Sequence, residues 1–144
     1  METALAGLIL CTLLFGMMEA AQGVYTYHLV SDAAREGTRY AIVRGGTFST
    51  ACTAPTTATC AAQSADVQTY VKTLGFPGMD VSKMVVTPSW SSYTAGQTCP
   101  KTGICNTPGN QVKVIVQYNY PISIPFVSIQ TWTLTSTSAM VIAQ

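Results

Sequence analysis

The sequence predicts an α+β protein: a long N-terminal α-helix, then a small head with a short helix and a three- to four-stranded antiparallel sheet. Two observations predict this class. Residues 1–46 contain no proline and include a charge-free, mostly apolar run at residues 3–18. Beyond residue 47, several segments alternate between apolar and polar residues, which is the pattern of half-buried strands. We therefore expect two parts, a helix over residues 1–46 and an α+β head over residues 47–144.

The composition argues against a free soluble monomer. Charged residues make up 9% of the 144-residue chain, against a typical ~25% in soluble domains. The mean hydropathy is +0.30 and the net charge is +1. Nucleic-acid binding needs a basic patch, and the few Lys and Arg residues are scattered along the chain. The sequence therefore predicts no nucleic-acid partner.

The apolar run at residues 3–18 is slightly short for a membrane span of about 20 residues. It reaches that length only by including Glu19, whose carboxylate is costly in lipid unless it is neutral, paired or near the headgroups. A signal peptide is a weaker alternative, because there is no basic n-region and no clean cleavage site. Such a helix must be buried in a bilayer or in copies of itself. The apolar side chains that we expect in that contact are Leu5, Leu8, Ile9, Leu13, Leu14 and Phe15.

The second half of the predicted helix is amphipathic. Asp32 and Glu36 are like-charge neighbours at i,i+4, and so are Arg35 and Arg39. Ion pairs between Asp32 and Arg35 and between Glu36 and Arg39 are expected to offset part of this repulsion, by a few tenths of a kcal/mol per pair. Gly37 lowers helix propensity by about 1 kcal/mol relative to alanine, and the close approach of another backbone would explain it. Gly45 and Gly46 predict the C-terminal end of the helix.

The first helix predicted in the head is a short one at Ser64–Leu74, after a loop at residues 47–62. Ser64 is expected to cap it, and Asp66 lies in the first turn, where a negative charge is favourable. The spacing of its apolar residues predicts one buried face, formed by Val67, Tyr70, Val71 and Leu74.

Three segments of the head are predicted to be strands. Residues 83–90 form an edge or bulged strand, because Pro88 lacks a backbone donor. Residues 111–118 alternate strongly, and residues 119–125 form a turn or bent strand. Residues 129–142 alternate again, and Trp90 and Trp132 are expected in the core. The side chains expected on the inward faces are Val112, Val114, Val116, Tyr118, Trp132, Leu134, Met140 and Ile142.

Cysteine usage indicates an oxidising compartment. Two pairs bracket short, turn-rich loops, and we expect local disulfides between Cys52 and Cys60 and between Cys99 and Cys105, although four cysteines allow three connectivities. A zinc site is the alternative, but these spacings lack the tight knuckles of such sites. The fifth cysteine, Cys11, lies in the apolar run and is expected to be a free thiol that packs as a small hydrophobe.

No catalytic signature is found. The sequence lacks a nucleophile elbow, a phosphate loop, a zinc-protease motif and a dinucleotide fingerprint. The single histidine, His28, lies on the long helix, and the acidic residues form no obvious pair. We therefore predict a structural protein rather than an enzyme, with no cofactor and no metal site.

The N-terminal half combines four features: Glu2, the apolar run, the segment Phe15-Gly-Met-Met-Glu19 and the continuous stretch from Tyr25 to Gly45. The most specific part is one block within that stretch: Ala33, Ala34, Arg35, Glu36, Gly37, Thr38, Arg39, Tyr40 and Ala41. In these features it resembles the TadE-like pilins of the Tad, or Flp, branch of type IV pili. The C-terminal segment at residues 131–144 also resembles the closing strand of that family.

The resemblance implies a prepilin that is trimmed by a prepilin peptidase, held in the cytoplasmic membrane and assembled by dedicated machinery into a surface filament. In type IV pilins the helix glutamate is usually the fifth residue of the mature chain, whereas Glu2 is the second here, so the processing site is left open. Glu2 near the start of an apolar helix is favoured by the helix dipole and is expected to set axial register in a filament.

The predicted function is therefore that of a structural subunit of an extracellular Tad-type pilus, in which copies of the chain pack through residues 1–46. We expect the major pilin, which supports adhesion. Two alternatives remain: a minor TadE-like pseudopilin needed for assembly, and a membrane-tethered module whose head binds a ligand.

Overall fold

The computed structural model describes residues 2–46, 61–92, 105–122, 128 and 130–143. The helices are α1 (Glu2–Val43) and α2 (Ser64–Thr73), and a 3₁₀ turn at Val81–Lys83 precedes the sheet. The strands are β1 (Met84–Ser91), β2 (Gln111–Ile122) and β3 (Gln130–Val141). This arrangement confirms the predicted α+β class, with three strands in the described part of the chain.

Helix α1 is continuous over 42 residues, which corresponds to about 60 Å at 1.5 Å per residue. It ends at Val43, just before the predicted stop at Gly45 and Gly46. Carbonyl groups near this end accept hydrogen bonds from the head: Ala62 N–H donates to Arg44 O at 2.7 Å and Ala143 N–H donates to Ile42 O at 3.4 Å. The end of the helix is therefore tied to the head by its backbone.

The sheet is antiparallel with strand order β1-β2-β3. Strand β1 lies at an edge, as Pro88 predicted, and the Gln68 side chain on α2 donates to Val86 O at 3.0 Å. Strand β2 continues to Ile122, so residues 119–122 extend the strand rather than form a turn. The inward side chains of β2 are those that alternation predicted, and they are buried: Val112, Val114, Val116 and Tyr118.

The core lies between this face of the sheet and the second half of α1. Small side chains on α1 allow the close packing, and those with no exposed surface are Ala33, Ala34 and Ala41, together with Val30. Gly37 lies at the tightest point, where an added Cβ would be 2.8 Å from Val71 Cγ2 and 3.3 Å from Val114 Cγ1. Gly37 is therefore required by side chains of α2 and β2 rather than by a neighbouring backbone. The predicted division of the chain at residue 46 stays a prediction.

Three sequence-based details are wrong. The N-cap of α2 is Gln63, not Ser64, and the Asp66 carboxylate accepts a hydrogen bond from Gln63 N–H at 3.0 Å. Leu74 is the C-cap residue that follows the helix, and it is 36% exposed rather than part of the buried face. Trp132 lies on the predicted face of β3 but is 64% exposed, because α1 does not fill the space beneath it. Trp90, in contrast, packs against the core.

Candidate functional site

Within the described part of the chain, the first third of α1 packs against no other element. Every side chain from Thr3 to Cys11 is exposed, and the large apolar ones that follow remain about half exposed or more. Helix α1 is long and apolar enough to cross a membrane: its most apolar stretch has a mean hydropathy of 1.9 and none of it is buried. A helix that is apolar all around requires an environment other than water.

The apolar side chains that sequence analysis singled out all lie on this exposed segment. Their exposed fractions are similar, so no face of the helix is reserved for the head. The values are Leu5 66%, Leu8 54%, Ile9 52%, Leu13 53%, Leu14 57% and Phe15 47%. The structure thus presents all of these residues together, on one rod-like surface.

A groove of about 460 Å³ lies where α1 passes the end of the sheet. On α1 the groove is lined by three small residues spaced by three or four positions, Gly16, Ala20 and Gly23, and by three larger ones, Glu19, Val24 and Tyr27. Its sheet side is formed by large apolar and aromatic residues of β2 and β3: Tyr120, Ile122, Trp132 and Leu134. The small helix residues leave the space that the larger sheet residues do not fill.

Glu19 lies in this groove and is paired. The Tyr120 hydroxyl donates a hydrogen bond to Glu19 Oε2 at 2.9 Å, and Gln22 Oε1 is a more distant acceptor at 3.4 Å. Partial burial, the hydrogen bond to Glu19 and the negative charge of that carboxylate raise the pKa of Tyr120 above its ordinary value of 10.0. The single acid in the middle of the apolar half of α1 is therefore held by a donor from β2.

The residues of the family-like block have two roles. Ala33, Ala34 and Gly37 are buried and pack α1 on the head. Arg39 pairs with Glu36 at 3.0 Å and Arg35 lies 3.8 Å from Asp32, which confirms both predicted ion pairs, all on the exposed side.

Tyr40, near the C-terminal end of the block, contacts α2. Its ring stacks on Tyr70 of α2 with centroids 4.2 Å apart, and the Arg44 guanidinium carbon lies 4.1 Å from the Tyr40 ring centroid. The block thus joins α1 to α2 and to the sheet. Its arginines remain at the surface, where charge is well solvated.

Several predicted site residues are only partly described. The side chain of Glu2 lies outside the described part of the chain, so its role in register stays a prediction. Cys105 is buried and disulfide-bonded, whereas Cys11 is exposed and free. Cys52, Cys60 and Cys99 lie outside the described residues, and the predicted pairing of the four cysteines stays a prediction.

The described site has the chemistry of a contact surface. Within the described ranges, no group of three or more His, Cys, Asp or Glu side chains is placed to hold a metal ion. The groove is lined by apolar and aromatic side chains, with one carboxylate that is already hydrogen-bonded. Such a surface can bind apolar groups by burial, with Glu19 and Tyr120 fixing the polar point within it.

Sequence reasoning did not identify the sheet side of this groove. The sequence predicts a turn or bent strand at Tyr120 and a core position for Trp132. Alternation along β3 correctly gives the face that carries Trp132, but it does not show how far along that face the helix packs closely. The small residues Gly16, Ala20 and Gly23, spaced to lie on one side of α1, are the available signal.

One comparison with known proteins gives a match. The family model described as TadE-like protein matches residues 1–39, a region that includes the exposed apolar segment, the helix side of the groove and most of the family-like block. No curated protein and no solved structure matches the chain. The similarity therefore covers most of α1 and none of the sheet.

Proposed function

We propose that the chain is a structural subunit of a Tad-type pilus, held in the membrane by α1 before assembly and packed through α1 in the filament. The observation that carries this proposal is the first third of α1, which is apolar on all sides and exposed within the chain. The TadE-like match over residues 1–39 supports it, because the match covers this same segment.

Packing of helices from several copies of the chain would remove the exposed apolar side chains of this segment from water. Each of Leu5, Leu8 and Leu13 is more than half exposed, and burying one such side chain contributes roughly 1.5–3 kcal/mol. The head stays outside such a bundle, because its own core is already complete around Val30, Ala34 and Val114. Copies of the chain, a prepilin peptidase and the assembly machinery are the partners that we propose.

Two kinds of subunit meet this description, and copy number separates them. We propose the major pilin, with the minor TadE-like pseudopilin as the alternative. Quantitative mass spectrometry of sheared surface filaments is the measurement. A chain that makes up most of the filament protein is the major pilin, and a chain present at a small fraction of it is a minor subunit.

Filament assembly itself is tested with a matched pair of substitutions. Leu13→Asn places a polar group on the exposed apolar segment and is expected to abolish sheared filaments while the protein accumulates in the membrane. Leu74→Asn makes the same chemical change at an exposed site on the head and is expected to leave filament yield unchanged. Filaments that lack the chain, or a normal yield with Leu13→Asn, would exclude the proposal.

If the chain is instead a membrane-tethered binding module, it forms no filament. Shearing would then release no material containing the chain, and the protein would remain monomeric in detergent. A separate variant, Glu2→Ala, tests the register role of Glu2: we expect lower filament yield, and an unchanged yield would remove that role without affecting the rest of the proposal.

A further inference from the structure

A membrane span on α1 would end at the level of the groove. A span needs about 20 residues, so a span that begins at Thr3 reaches Gln22. It therefore includes the helix residues that form the lower part of the groove, Gly16, Glu19 and Ala20. Any bilayer that surrounds this part of α1 must also meet the sheet residues on the opposite side of the groove.

We propose that, before assembly, the groove and the adjoining end of the sheet lie in the interface of the bilayer, where membrane lipid fills the groove. The occupant is the lipid region between the headgroup and the first part of the acyl chain. The inference rests on the membrane anchoring in the proposed function, but not on filament formation.

The aromatic residues at the level of the groove match this environment. Trp132 and Tyr27 line the groove and are 64% and 47% exposed. Tyr25, which lies at the same level of α1 but outside the groove, is 53% exposed. Trp and Tyr are enriched at membrane–water boundaries, because their rings are apolar and their N–H or O–H groups find polar partners there. In water, by contrast, the exposed Trp132 ring and the apolar groove beside it would form an apolar patch without a partner.

The charges on the elements that form the groove lie away from it, apart from Glu19. On α1, the charged residues after Glu19 begin at Asp32, beyond the groove. On β2, Lys113 pairs with Ala139 near the opposite end of the sheet from Trp132, which is paired with Tyr120. Asp80 and Lys83 lie nearer to this end, because Asp80 N–H donates to the Tyr118 hydroxyl at 3.2 Å and Lys83 comes just before β1. Neither residue lines the groove, and their side chains lie 4.0 Å from each other.

Glu19 is the charged residue of the groove lining, and the placement must accommodate it. A carboxylate at membrane depth is tolerated near the headgroups or when it is paired. The Tyr120 hydroxyl supplies a donor at 2.9 Å. The hydrogen bond holds the Glu19 carboxylate within the otherwise apolar groove. In the proposed placement, this carboxylate lies at the boundary with the headgroups.

The two tryptophans of the chain provide the test. Trp90 is aligned, through Val112, with Met140 of β3, and Met140 is 8 residues from Trp132. That separation is roughly 27 Å along the strand at ~3.4 Å per residue. Trp132 therefore reports on the groove, while Trp90 reports on the far end of the same sheet.

The full chain is reconstituted at low density in phosphatidylcholine vesicles, and flotation confirms that it is inserted. Lipids brominated near the carbonyl end of the acyl chain, or near its methyl end, then quench tryptophan fluorescence. We expect most of the Trp132 emission to be lost with the shallow bromine and less with the deep one, and we expect Trp90 to be unaffected. Trp132→Phe isolates Trp90, and the difference from the wild type gives Trp132, so the half-buried Trp90 need not be replaced.

Aqueous iodide is the complementary quencher. If Trp132 is quenched by iodide but not by brominated lipid, the groove faces water and the inference is wrong. If neither quenches it, protein covers the groove, for example a second copy of the chain, and the lipid assignment is again wrong. Failure of flotation would instead overturn the membrane anchor itself, so failure of this inference is distinguishable from failure of the proposed function.

Discussion

The hydroxyl group of Tyr120 lies 2.9 Å from Glu19 Oε2 and donates a hydrogen bond to it, across 101 positions of sequence. This contact joins the end of β2 to α1 at the place where the helix leaves the head. It makes the orientation of the apolar segment part of the folded structure of the head.

Tyr120→Phe is expected to lower the free energy of unfolding of the head by about 1 kcal/mol, since one partly exposed hydrogen bond is lost. Guanidinium denaturation of the full chain in mild detergent, followed by tryptophan fluorescence, measures it. Tyr25→Phe removes a hydroxyl from an exposed helix position and serves as the control. A double-mutant cycle with Glu19→Gln should show coupling, and strict additivity would show that the two residues do not interact.

The same contact predicts a dependence on high pH. The pKa of Tyr120 is raised above 10.0 in the folded protein, first by burial and then by Glu19. Its stabilising contribution is therefore fully present below pH 10.0 and is lost as the pH rises through the higher pKa of the folded state. The stability difference between the wild type and Tyr120→Phe should narrow in that alkaline range, and a constant difference would contradict the prediction.

Gly37→Ala is expected to destabilise the head although alanine is the better helix former. The new Cβ would meet Val71 Cγ2 at 2.8 Å and Val114 Cγ1 at 3.3 Å. Overpacking of this kind costs about 1–3 kcal/mol. Replacing glycine by alanine in a helix gains only about 1 kcal/mol, so we expect a net loss of stability.

Gly23→Ala is the matched control, because an added Cβ there would meet no atom within 4 Å. It should leave stability unchanged or raise it slightly. Adding Val71→Ala to Gly37→Ala should recover part of the lost stability, because it removes the side-chain atom that the new Cβ would meet. A Gly37→Ala protein as stable as the wild type would contradict the prediction and show that the core adjusts to the added methyl group.

Cys11 should report on assembly. It is exposed and free in the single chain and lies in the segment that we propose to pack in the filament. Without a reductant, maleimide should label Cys11 in the detergent-solubilised protein, while intact sheared filaments remain unlabelled until detergent dissociates them. Equal labelling of intact and dissociated filaments would show that this segment is not buried by assembly.

Local patterns predicted the elements of the fold because each element repeats its own signal. The absence of proline predicted a continuous α1, and alternation gave the buried side chains of β2 from Val112 to Tyr118. Asp32–Arg35 and Glu36–Arg39 followed from helical spacing alone. The cap of α2 was placed one residue late, because Ser64 is the more common capping residue and the role of Gln63 depends on Asp66.

The site was less predictable because it depends on contacts between distant parts of the chain. Nothing local marks Tyr120 as the partner of Glu19. Trp132 has the sequence position of a core residue, but its surroundings are set by Gly16, Ala20 and Gly23 on another element. The exposed apolar residues of α1 were predicted, because their need for a partner follows from composition.

The continuity of α1 also determines how mechanical force passes through the molecule. Its 42 residues run without a break from the exposed apolar segment into the core, where Val30, Ala34 and Ala41 are fully buried. A pull on the exposed end is carried along the hydrogen-bonded helix backbone directly to the sheet, with no intervening linker to absorb it. The head and α1 are therefore expected to move as one unit, so that rotation or translation of the helix rotates or translates the head by the same amount.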